Sequence, residues 1–141
     1  TKDLLATADA GRRPMFYLSG SPWSLHDRTQ EFFDLQGFPH GTVILRRYST
    51  ESLDPFEFKH PHLLELFDAF PHKKFILLGD DGEKDPEVYA AVRKERPGRV
   101  QAVYIHDVTG AKSTDGRFAG MKLFADWTKG AKDLAASGNA K

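Results

Sequence analysis

The densest chemistry in this chain stands in the run Phe75-Ile76-Leu77-Leu78-Gly79-Asp80-Asp81-Gly82-Glu83-Lys84-Asp85-Pro86. Its bulky apolar residues read as a fully buried strand, ended by glycine and a cluster of carboxylates. Asp85 before Pro86 has the pattern of an N-cap and a first helical position, which predicts a helix over residues 86–95. A buried strand thus delivers three Asp and one Glu to the lip of a sheet, beside a helix start. Open α/β sheets bind ligands at that edge. Carboxylates crowded there repel one another unless a cation or a substrate donor neutralises them. Hard oxygen ligands favour Mg²⁺ or Ca²⁺, and Mg²⁺ typically keeps waters and binds one or two carboxylates together with a substrate phosphate. Asp80 and Asp85 are the candidate metal ligands, with Asp81 in reserve. The competing reading is a solvated acidic turn.

Further polar groups suit a phosphate-bearing ligand. In Leu18-Ser19-Gly20-Ser21-Pro22-Trp23-Ser24 a strand passes through glycine toward a helix, so backbone N–H groups and hydroxyls can meet an anion there. The plainer alternative is that Ser21 or Ser24 caps that helix. Lys59, in Phe58-Lys59-His60-Pro61, is expected at a helix start, where a cation opposes the dipole unless an anion joins it. Arg46 can grip a phosphate bidentately, or pair with Asp107 or Asp81. His106 stands at a strand end within reach of substrate. His60, His62 and His72 do not have the spacing of a zinc helix.

These residues need elements to hold them. Residues 15–18, 42–45, 75–78 and 100–105 read as strands. Residues 25–36, 62–70 and 86–95 read as helices, Gly37 and Pro71 ending the first two. Leu123, Phe124 and Trp127 are expected on a last helix, residues 109–120 in a polar loop, and residues 136–141 in a frayed tail. Such alternation implies right-handed βαβ units and a parallel sheet covered on both faces. The fold class expected is α/β, a three-layer α/β/α sandwich with a doubly wound sheet. Each expected strand ends in polar residues: Ser19-Gly20-Ser21, Arg46-Arg47, Asp80-Asp81 and His106-Asp107. That coincidence points to a binding or active site along one edge.

Composition sets outer bounds. The 141 residues are one domain's worth, and 40% apolar content with 11 Phe suits a packed core. Twenty basic and twenty acidic residues cancel, so no global field argues for nucleic acid. No stretch approaches the roughly 20 apolar residues of a bilayer span. There are no cysteines, which excludes disulfides and thiolate metal sites. The start, Thr1-Lys2-Asp3-Leu4, reads as the beginning of a piece of something longer.

Taken in order, Phe16-Tyr17-Leu18-Ser19-Gly20-Ser21-Pro22-Trp23, Gly37-Phe38-Pro39 with Ile44-Leu45-Arg46, Phe58-Lys59, and Leu78-Gly79-Asp80 to Asp85-Pro86-Glu87-Val88-Tyr89 carry a family resemblance. Over about residues 15–108 the chain resembles the phosphatidate phosphatase catalytic domain of the actin-patch-associated type, which is distantly similar to lipins. The resemblance implies the haloacid dehalogenase-like superfamily of Mg²⁺-dependent phosphatases, a single domain over residues 1–141, and hydrolysis of phosphatidate to diacylglycerol. It implies that Ser19 binds the transferring phosphoryl group and Lys59 steadies phosphate and nucleophile. Asp80 and Asp85 would serve Mg²⁺, with Gly20, Ser21, Arg46 and His106 around the substrate. A phosphorylated lipid or another phosphomonoester as substrate, an upstream segment of the same protein as partner, a cytoplasmic location and peripheral membrane contact are the accompanying expectations. Arg47 departs from the pattern, standing where an acidic residue is expected.

The larger departure is an absence. The D-x-D-x-T segment with which the family's chemistry starts does not occur in the chain. Asp3 and Asp9 do not follow a buried strand and do not fit it. In the family fold that segment ends the central strand, between the strands at 15–18 and 75–78, so this sheet is expected to lack its middle. Either an upstream segment supplies the attacking aspartate, or the chain is a non-catalytic phosphatidate-binding module of the same fold. A flavodoxin-like receiver is a third option, weakened because no acidic pair precedes the Asp cluster.

Overall fold

The computed structural model describes residues 13–112 and 114–137, so Asp3, Asp9 and the end of the expected tail lie outside the described residues. The chain is α/β, with every strand pairing parallel. It divides into two compact units, residues 1–53 with 127–141, and residues 54–126.

The first unit holds strand β1 (Phe16–Pro22), helix α1 (His26–Gln36), strand β2 (Thr42–Arg46) and helix α4 (Trp127–Ala136), with a 3₁₀ turn at Trp23–Leu25. β1 and β2 run in regular register from Phe16↔Thr42 to Ser19↔Leu45, then slip so that Pro22 pairs with Arg46. The slip falls on Gly20 and Ser21, freeing that backbone from the ladder. Gly37 ends α1 at φ 65°, its N–H reaching the Asp34 and Phe33 carbonyls, as expected of a left-handed glycine cap. Tyr17, Phe33 and Phe38 pack as an aromatic cluster, with ring centroids 4.5 Å apart for Tyr17–Phe33 and 5.1 Å for Phe33–Phe38.

The second unit holds helix α2 (Pro55–Ala69), strand β3 (Phe75–Asp80), helix α3 (Asp85–Glu95), strand β4 (Val100–His106) and strand β5 (Lys122–Phe124). The strand order is β3-β4-β5. β4 lies between its neighbours, and its consecutive buried residues Val103, Tyr104 and Ile105 are those of a strand covered on both faces. Phe67 of α2, fully buried, stacks on Phe75 at 4.1 Å.

Two expectations need correction here. The helix read over residues 62–70 starts seven residues earlier, at Pro55, and runs through Pro61. Asp54 caps it, accepting hydrogen bonds from the Phe56 (2.8 Å) and Glu57 (3.1 Å) N–H groups. An interior proline costs about 3 kcal/mol, which burial of Phe58, Leu63 and Phe67 offsets. Lys59 therefore sits in the second turn of α2, not at a helix start. Leu123 and Phe124 form a strand instead of a helix, paired with Ile105 and His106. Short apolar runs do not distinguish the two, and ladder partners on β4 decide it.

Candidate functional site

The acidic turn between β3 and α3 is built around an ion pair. Lys59 Nζ lies 2.5 Å from Asp85 Oδ1 and 3.4 Å from Glu83 Oε2, its side chain only 12% exposed. Asp85 is the first residue of α3, yet its carboxylate does not cap that helix. Instead Oδ2 accepts the Asp80 N–H at 3.3 Å. The ammonium draws the carboxylate back across the strand end, which a capping geometry would forbid. Gly79 makes this possible, since a Cβ there would meet Asp85 Cβ and the Tyr89 hydroxyl, each at 2.8 Å.

Burial pushes the Asp85 carboxyl above its ordinary value, against the pull of Lys59. Burial also works against the Lys59 ammonium, but Asp85 and Glu83 beside it hold its pKa above the usual lysine value. Lys59 is thus kept charged. Behind the pair, Tyr89 donates to the Leu78 carbonyl at 2.7 Å, and burial, with Asp85 and Asp80 nearby, keeps its hydroxyl protonated.

The three aspartates have different surroundings. Asp80, half-buried, accepts the Gly82 N–H at 2.9 Å on Oδ1. Asp81, 2% exposed, turns inward: it accepts the Val108 N–H at 2.7 Å, the Thr109 N–H at 3.2 Å and the Thr109 hydroxyl. Its oxygens therefore tie down the turn after β4. His106 pairs in register with Asp80 across β3 and β4, and its carbonyl accepts the Asp81 N–H at 3.1 Å. Among the described residues no three His, Asp or Glu side chains converge as a metal-holding group.

Sequence reading missed Arg117. It lies in the polar loop, where a 3₁₀ turn (Gly116–Phe118) buries Phe118. Its guanidinium donates to the Asp81 carbonyl at 3.0 Å, to the Glu83 carbonyl, and to the Glu87 carboxylate at 2.5 and 3.0 Å. One side chain thereby binds the acidic turn at both ends. An arginine among polar loop residues gives no local signal of this.

In the first unit, Ser19 Oγ donates to Ser21 Oγ at 3.1 Å and accepts the Ser21 N–H at 3.2 Å. Neither Ser21 nor Ser24 supplies a side-chain cap to the helix that follows, so the simple capping explanation is not the one adopted. Arg46, 6% exposed, lies over Gly20: a Cβ there would come within 3.0 Å of Nη2. Its Nη1 donates to the Leu53 carbonyl at 3.0 Å. Ser19, Gly20, Ser21 and Arg46 are thus brought together in the first unit, and Lys59, Asp80, Asp85 and His106 in the second.

Residues 2–107 match the family described as "Phosphatidate phosphatase APP1, catalytic domain". The Saccharomyces cerevisiae protein named phosphatidate phosphatase APP1 is 31% identical over 103 residues, covering 70% of this chain and 17% of the yeast protein. An uncharacterized protein of Schizosaccharomyces pombe is 29% identical over 97 residues, covering 65% of this chain and 16% of the relative. The chain spans about a sixth of the length of these curated relatives. No solved structure matches it significantly.

Proposed function

Because the chain belongs to the family of the phosphatidate phosphatase APP1 catalytic domain, we propose that it is part of a Mg²⁺-dependent phosphatase that hydrolyses phosphatidate to diacylglycerol. The observation that carries this reading is the charged Lys59 held by Asp85 at 2.5 Å, next to Asp80 at the end of β3. A buried cation locked beside a second carboxylate is more than a solvated turn requires.

The fold we assign to the whole domain is the haloacid dehalogenase-like three-layer sandwich, completed by a strand outside these 141 residues. That strand would carry the aspartate that attacks phosphorus while the bond to the diacylglycerol oxygen breaks, that oxygen taking a proton from the second aspartate of the D-x-D-x-T segment, and water would then hydrolyse the aspartyl-phosphate. By the family resemblance Lys59 would offset phosphoryl charge, Ser19 would orient its oxygens, and Gly20, Ser21, Arg46 and His106 would bound the substrate. For Mg²⁺ the donor chemistry fits in part. Asp80 keeps oxygen lone pairs for a hard cation, whereas both Asp85 oxygens and both Asp81 oxygens already accept protein hydrogens. Mg²⁺ commonly takes only one or two carboxylates with waters and phosphate, so Asp80 with the external aspartate suffices. Asp85 then acts through Lys59. When bound, the cation would neutralise charge on the transferring phosphoryl group. A cytoplasmic location with peripheral membrane contact belongs to the same proposal.

The test is Asp80→Asn in the full-length protein. Mg²⁺-dependent release of phosphate from phosphatidate should fall by about 10²-fold or more, with the melting temperature unchanged. Undiminished turnover would remove Asp80 from the site. A second reading, a non-catalytic phosphatidate-binding module, is favoured by one observation, the absence of D-x-D-x-T from the chain. The encoded sequence before Thr1 separates the two: a buried strand ending in D-x-D-x-T makes the protein an enzyme.

A further inference from the structure

The turn after β1 is ringed by apolar side chains that solvent reaches and that the chemistry above does not use. Trp23 is 47% exposed, Leu25 39%, Tyr48 53% and Leu53 69%. Contacts within the first unit bring Tyr48 and the Leu53 backbone toward Gly20, and Trp23 and Leu25 follow it in the 3₁₀ turn. The Tyr48 hydroxyl donates to the Gly20 carbonyl at 3.3 Å, and Arg46, which lies over Gly20, holds the Leu53 carbonyl at 3.0 Å. The Arg47 guanidinium sits 5.4 Å over the Trp23 ring, which also lies 4.8 Å from the His26 ring.

The charges there are uneven. Among the described residues no carboxylate pairs with the Arg47 side chain, which rests on an aromatic face instead. The nearby acids are engaged: Glu51 accepts the Arg47 backbone N–H at 2.5 Å, and Asp27 contacts His26 at 3.3 Å. An exposed Trp, a Tyr and leucines beside an unmatched arginine match the layered chemistry of a bilayer surface. Indole and phenol settle at headgroup depth, leucine enters the acyl boundary, and arginine meets lipid phosphate. A stable protein interface takes about 20–30 residues from each partner, against the five side chains named here. Interfacial anchoring by a few apolar residues with basic support does not.

We propose that Trp23, Leu25, Tyr48 and Leu53, with Arg47, seat this chain on an anionic phospholipid bilayer, presenting the Ser19–Ser21 segment of β1, where the register slips, to the plane of the lipid phosphates. The proposal extends the phosphatidate reading above and names the surface by which the lipid is reached.

The experiment uses the full-length protein and flotation with phosphatidylcholine vesicles containing phosphatidylserine and no phosphatidate. The triple variant Trp23→Ser/Leu25→Ser/Leu53→Ser should bind about tenfold or more weakly. Leu35→Ser should bind as the parent does, although Leu35 is 77% exposed, because it lies at the far end of α1, about 15 Å along the helix axis. Arg47→Gln keeps every apolar group and should weaken binding to anionic vesicles more than to pure phosphatidylcholine. Turnover of a short-chain phosphatidate in monomeric solution should match the parent in the triple variant, while turnover on vesicles falls with binding. Parental flotation of the triple variant would overturn the proposal, as would failure of the parent to float. Flotation that appears only with phosphatidate would also overturn it, since the catalytic pocket would then be the whole of the attachment. A parent that lacks phosphatase activity but loses flotation in the triple variant would sink the proposed function and leave the docking surface standing.

Discussion

At the scale of single residues, the Lys59–Asp85 pair is where stability and chemistry meet. Removing one partner of a buried ion pair leaves the other charge uncompensated, at a cost of about 3 kcal/mol. Lys59→Met should lower stability by that order in urea unfolding of the full-length protein. Lys59→Met/Asp85→Leu should recover most of the loss, and both variants should lose turnover. Asp81 has a different fate. Burial raises its carboxyl, but the Thr109 hydroxyl and the Val108 and Thr109 N–H groups outweigh burial and hold it below its ordinary value of 3.8. The unfolded chain therefore takes up the proton at a higher pH than the folded one. The stabilisation is complete above the ordinary carboxylate range and is lost as pH falls through the lowered folded value. At pH 7, Asp81→Asn should be less stable than the parent by about 2 kcal/mol. Urea titrations at descending pH should show that gap closing. That Asp80, Asp81 and Asp85 form a set was legible in their spacing. Their separate partners were not, because Lys59 and Thr109 are 26 and 28 residues away.

At the scale of elements, local rules placed most of the frame. Apolar runs marked β1 to β4, Gly37 and Pro71 stopped two helices, and the polar strand ends followed. They failed where tertiary contacts outweighed propensity. Pro61 looked like a residue ahead of its helix and is a helix interior, because Asp54 caps the preceding turns and Phe58, Leu63 and Phe67 are buried. Leu123 and Phe124 looked helical and are drawn into a ladder on β4. The loop before β5 looked like filler, yet its Arg117 clasps Asp81, Glu83 and Glu87. Arg117 lies beyond the residues that match the family, which end at 107. Arg117→Met should increase hydrogen exchange across residues 81–87 and lower kcat about tenfold or more through misplacement of the turn, with KM little changed. Unaltered exchange there would deny Arg117 its positioning role.

At the scale of the molecule, two units share the candidate residues, Ser19 and Arg46 in one and Lys59 and Asp80 in the other. Each unit has its own parallel sheet, β1-β2 or β3-β4-β5. The proposed enzyme needs an attacking aspartate that neither unit contains in a D-x-D-x-T segment. The 141-residue chain expressed alone should therefore release no phosphate from phosphatidate, while the full-length protein does, under the same Mg²⁺ and lipid conditions. Activity of the isolated chain would overturn the assignment of the nucleophile. The sequence alone determined the α/β alternation, the polar edge and the family, because apolar periodicity, helix stops and ordered motifs are local and survive without coordinates. Only the tertiary structure decided which carboxylate oxygens already accept protein hydrogens. Asp81 and Asp85 are claimed by Thr109 and by Lys59, Asp80 keeps an oxygen open, and such long-range competition for lone pairs leaves no trace in residue spacing.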